Sequence, residues 1–145
     1  MIKSFMSTRN IIVSVILLVV CCILGDAANV VGIADNPPGI ALAYLSTIAL
    51  VLAFVHPLRN SKQFRYLVYT SGIGFILFAI LHNVFEGISS KVGETSIAFS
   101  LLNGAGVASF LIAIFICPIG LLIGAIGAVI MSSRERRSKQ NSSAA

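Results

Sequence analysis

Tryptophan is absent from the 145 residues, acidic side chains number only five, and charged residues of both signs make up 10%. Soluble domains carry roughly 25% charged residues, so this composition excludes a soluble globular chain. With 57% hydrophobic residues and a mean hydropathy of +0.99, it describes an integral membrane protein with little mass outside the bilayer. The lack of Trp leaves any interfacial aromatic belt to Tyr44, Tyr66, Tyr69 and nearby Phe residues. Three cysteines, two of them adjacent (Cys21 and Cys22), make no disulfide framework. There is no Gly-rich phosphate loop after a strand, no nucleophile paired with a base, and no nucleic-acid motif.

What is present is a series of apolar runs. The first, 11–24, would make about 21 Å of helix, short of a hydrocarbon core of about 30 Å. The span is therefore expected to continue through Gly25, Asp26, Asn29 and Val31 to 33, which puts Asp26 in the outer part of the membrane. Lys3 and Arg9, the apolar core and Gly25-Asp26-Ala27 also fit a secretory signal peptide cleaved after Ala27. An uncleaved helix is the expectation, because apolar sequence resumes at once and three more spans follow. Asp35-Asn36-Pro37-Pro38-Gly39 is the strongest turn, with a proline pair that bars helix continuation. Further spans are expected at 39–56, 66–86 and 98–131, the last too long to cross perpendicularly, so that either its first turns project from the membrane or it bends at Cys117-Pro118. Residues 132–145 read as a Ser-rich, basic, disordered tail. Short connections predict an all-α, four-helix, up-down-up-down transmembrane bundle without a soluble domain.

Charge sets the expected orientation. The N-terminus (Lys3, Arg9), the second loop (Arg59, Lys62, Arg65) and the tail (Arg134, Arg136, Arg137, Lys139) hold nine of the ten Lys and Arg; Lys91 is the exception. The positive-inside rule then puts both termini in the cytoplasm, with the plasma membrane as the expected location. The net charge of +5 comes from short clusters beside apolar runs, which suits anionic lipid headgroups rather than nucleic acid.

The segment 66–89 carries the most information. At about 100° per residue, Ser71, Gly72, Phe75, Ala79, His82, Asn83 and Glu86 share one stripe, while Ile73, Ile76, Leu77, Ile80 and Val84 cover the other side. Small and ionisable residues turn toward protein or water, branched aliphatics toward lipid. The outer polar end, with Asp26 and Asn29 of the first span and Asn103 of the fourth at similar height, is the candidate site. His82 and Glu86, four apart, could both reach one ligand or proton. The competing view is a structural cluster in which a carboxylate pairs with His82 and the Asn amides satisfy the rest. His82 and Glu86 offer a metal two ligands and need a third such as Asp26, so no metal and no cofactor is expected.

The fourth span has a seam of small residues: Gly106, Ala113, Gly120 and Gly127 recur every seven, with Ser109, Cys117 and Gly124 between them. Gly120 and Gly124 also form a GxxxG match. Missing side chains let backbones approach closely, against another helix of the chain or in a homo-oligomer. Cys21, Cys22 and Cys117 read as small buried apolar residues; the Cys-x-x-Cys of four-helix membrane oxidoreductases of the vitamin K epoxide reductase kind is missing. In size and helix number the chain resembles the small multidrug transporters, whose hallmark is a glutamate in the middle of the first helix. Residues 15–22 hold no acid, so the resemblance ends at architecture. The expected function is non-catalytic, through helix packing with itself or a partner. The alternative is a minimal carrier or channel using Asp26, His82 and Glu86.

Overall fold

The computed structural model describes residues 7–92, 94 and 96–143. Lys3, used above for orientation, lies outside the described residues, as do Gly93 and Thr95 of the third loop and the last two residues of the tail. The elements are helices α1 (Thr8–Val31), α2 (Pro37–Val55), α3 (Ser61–Ser89) and α4 (Ile97–Leu111), a π-helical turn (Ile112–Ile116) and α5 (Cys117–Ser143). Four helical segments are long and apolar enough to cross a membrane: Thr8–Val31, Pro37–Val55, Ser61–Ser89 and Ile97–Ser138. The chain divides into two compact units, Met1–Asn60 and Ser61–Ala145.

The first unit is an antiparallel hairpin of α1 and α2. Helix α1 does run through Gly25, Asp26 and Asn29 without a break. It ends at Gly32, whose φ of 84° suits a residue without Cβ. Asn36 Nδ2 donates to the Val31 carbonyl at 2.8 Å, and Asp35 adopts φ 54°, a region Asp tolerates. A Cβ on Gly39 would overlap the Gly32 carbonyl oxygen, so this corner closes only with glycine on both sides. Pro37 and Pro38 stop α1 from continuing, yet they also begin α2, where their missing N–H groups would lack partners anyway. Between the helices, Ser14 Oγ donates to the Ala53 carbonyl and Ser46 Oγ to the Cys21 carbonyl, each at 2.8 Å. Interhelical bonds of this kind contribute about 0.6 kcal/mol each on average in membrane helix bundles.

In the second unit α3 packs antiparallel to α4 and α5. Helix α3 begins at Ser61, so Lys62 and Arg65, expected in a loop, sit on its first two turns. Helix α4 is capped by the preceding Ser96, whose hydroxyl accepts from the Phe99 N–H at 3.1 Å. Ahead of Pro118 the helix does not stop. It widens into the π turn, where the Cys117 N–H bonds the Ile112 carbonyl five residues back. Proline at 118 has no N–H and crowds the carbonyl four residues earlier, and such wide turns relieve that conflict.

The tail departs from expectation. Instead of being disordered beyond residue 131, it is helical as far as Ser143. Within this stretch a clamp forms on the start of α3: Ser61 donates its N–H to Glu135 Oε1 at 3.1 Å and its hydroxyl to Oε2 at 2.9 Å. A helix start offers unpaired N–H groups and a partial positive charge, and a carboxylate answers both.

Candidate functional site

Within the second unit, the seam of α4 and α5 faces α3. Ala113, Ser109 and Cys117 are buried. A Cβ on Gly106 would come within 3.5 Å of the Phe85 side chain, and one on Gly74 of α3 within 3.4 Å of Cys117 Sγ. Farther along, a Cβ on Gly120 would overlap Ser71 Oγ, and one on Gly127 the Phe64 ring. On Gly124 it would lie 2.8 Å from Val68 Cγ2, closer than atoms pack, and 3.2 Å from the Phe64 carbonyl oxygen, a tight contact. The seam is filled by side chains of the same chain.

This contact defines the packing face of α3, and it differs from the polar stripe read from sequence. The face holds Phe64, Val68, Ser71, Gly74, His82 and Phe85. Phe75, Asn83 and Glu86, expected on it, are exposed. Glycines opposite demand bulk to fill the space they leave, so Phe and Val take those positions and the longer polar groups move to the edge. Ile73, Ile76, Leu77, Ile80 and Val84 are exposed, as expected of a lipid-facing side.

Of the six polar candidates, His82 and Glu86 meet. The Gly106 carbonyl can only accept, so His82 Nδ1 donates to it, at 3.1 Å. Nε2 then points toward Glu86 Oε2 at 3.6 Å, a loose pair one helical turn long that is ionic only with a protonated imidazole. Phe110 leans on the imidazole with ring centroids 5.1 Å apart. The His82 side chain is 28% exposed and that of Glu86 70%, which separates a packed group from a free one. Asn83 turns back and donates Nδ2 to the Ala79 carbonyl of its own helix at 2.7 Å. Asn103 is exposed on α4. In the first unit Asp26 and Asn29 are both exposed on α1. Among the described residues no three His, Cys, Asp or Glu gather in a way that could hold a metal ion.

Two features escaped the sequence reading. One is the Ser61–Glu135 clamp; Glu135 as the single acid of a basic tail was the signal that could have found it. The other is His56, read as a helix-end residue. Its Nδ1 donates to the Leu52 carbonyl at 3.2 Å, while Nε2 is buried with no hydrogen-bond partner among the described residues. No protein-family model, curated protein or solved structure matches the chain.

Proposed function

We propose that the chain is a non-catalytic, four-helix, up-down-up-down protein of the plasma membrane, both termini cytoplasmic, that acts through helix packing with a partner or a second copy. The observation that carries this reading is the His82 bond to the Gly106 carbonyl. It commits the imidazole, the group best suited to proton transfer, to tying α3 to α4. The glycine seam is likewise occupied by α3. What faces outward is branched aliphatic surface, such as Ile73, Ile76 and Ile80 on α3 and Leu122, Ile126 and Val129 on α5. That surface suits lipid or another apolar helix.

One observation favours the second reading, a carrier or channel for a proton or small cation. Glu86 keeps an exposed carboxylate beside His82, and Asp26 is exposed on α1. Ionisable groups in membrane segments often mark such paths. Vesicles reconstituted with the chain and placed under a pH gradient separate the two. The packing reading expects no flux above protein-free vesicles, and a loss of about 1 kcal/mol of stability in His82→Ala, which removes one hydrogen bond. A pH-dependent flux that disappears in both His82→Gln and Glu86→Gln, with the fold retained, would establish the carrier reading instead.

A further inference from the structure

One turn from the hydrogen bonds between Ser61 and Glu135 lies an open cleft. Arg65 of α3 and Ala128, Val129, Ser132, Ser133 and Arg136 of α5 line it, around about 330 Å³. On α5 the residues at 129, 132 and 136 recur at helical spacing and share a face, and Arg65 lies one turn beyond Ser61. Arg65 Nη2 donates to Ser132 Oγ at 3.5 Å, a long bond that a better acceptor would displace at little cost. Arg136 has no hydrogen-bond or ion-pair partner among the described residues. The nearest acid in sequence, Glu135, is bound to Ser61 through both carboxylate oxygens.

The position of the cleft is as informative as its lining. The apolar part of α3 begins at Tyr66, immediately after Arg65, and that of α5 ends at Met131, immediately before Ser132. Both arginines therefore stand on the polar side of the apolar boundary, with Ala128 and Val129 on the other side. Guanidinium groups bind phosphate oxygens in pairs of parallel hydrogen bonds, and serine hydroxyls donate to the oxygens that remain. An apolar wall below a basic notch matches a phosphate ester whose hydrocarbon continues into the bilayer.

We propose that the cleft lined by Arg65, Ser132, Ser133 and Arg136 binds the phosphate group of an anionic phospholipid. The assignment rests on the reading that this end of the protein lies at the membrane surface. Free phosphate shares the recognition chemistry but not the contact with Val129.

The test uses the full chain in a nonionic detergent, with lipid retention followed by native mass spectrometry. Phosphatidylglycerol should be retained, and diacylglycerol of the same chains should not. Arg65→Gln and Arg136→Gln should each weaken retention about tenfold, the loss of one charge-assisted pair. Lys62→Gln and Arg137→Gln remove the same charge outside the cleft and should change it about twofold or less. Equal losses in all four variants would overturn the proposal in favour of diffuse attraction, and equal retention of both lipids would overturn phosphate recognition. If inorganic phosphate competes as well as the lipid does, the phosphate site stands and its assignment to a lipid falls. Release of the chain from membranes by alkaline carbonate would instead overturn the membrane reading, independently of the arginine variants.

Discussion

Glycine has two opposite meanings in these helices, and what stands across from each one decides which applies. A side chain at Gly120, Gly124 or Gly127 would overlap α3, whereas a Cβ at Gly104, also helical, meets nothing within 4 Å. At Gly104 the backbone is merely more flexible than it need be. Gly104→Ala should therefore stabilise the chain by about 0.5–1 kcal/mol, the usual helix-propensity gain. Gly124→Leu should destabilise it by about 1–3 kcal/mol through overpacking. Thermal unfolding of both variants in one detergent checks the pair. Equal melting temperatures would mean that the seam does not face α3. His82 shows the same dependence on neighbours: its sequence invites a proton-transfer role, and its Nδ1 is bonded to the Gly106 carbonyl of the neighbouring helix.

At the scale of elements, the last helix joins two regions that composition separates. Residues up to Met131 are apolar, and those from 132 on are serine-rich and basic. A helix so basic would fray alone, since like charges on neighbouring turns repel. Glu135 changes this by reaching Ser61, which is buried. Ser61→Ala deletes the hydroxyl donor and should lower stability by about 1 kcal/mol. The effect should be local: cleavage by trypsin at Arg134, Arg136 and Arg137 should quicken, while the apolar part of α5 stays protected. Unchanged cleavage at all three sites would show that the tail owes its helix to something other than the clamp.

For the molecule as a whole, the distribution of charge leads to a topology prediction. Nine of ten Lys and Arg fall in the two termini and the segment around Arg59, an asymmetry that orients membrane proteins. In intact cells, an impermeant thiol reagent should label Asp35→Cys and leave Ser138→Cys unlabelled, with the native cysteines replaced. Strong external labelling at Ser138→Cys would invert the orientation. It would also move the Arg65–Arg136 cleft to the opposite membrane face, where anionic phospholipid is scarcer.

What the sequence determined by itself is what depends on local chemistry. Apolar run length marked four helical segments, and the run Asp35-Asn36-Pro37-Pro38-Gly39 marked the corner between α1 and α2, because backbone restrictions act within a few residues. The small-residue seam was legible too, since a repeat of seven keeps one face aligned on any helix. Tertiary structure decided which neighbour filled that seam. It also decided that Phe64, Val68 and Phe85, rather than Asn83 and Glu86, make the inner face of α3. Polarity along one helix cannot reveal this, because burial depends on the shape of the opposing surface. The same limit hid the Ser61–Glu135 clamp and the Arg65–Arg136 cleft. Their partners stand about seventy residues apart, and only the packing of α3 on α5 brings them within reach.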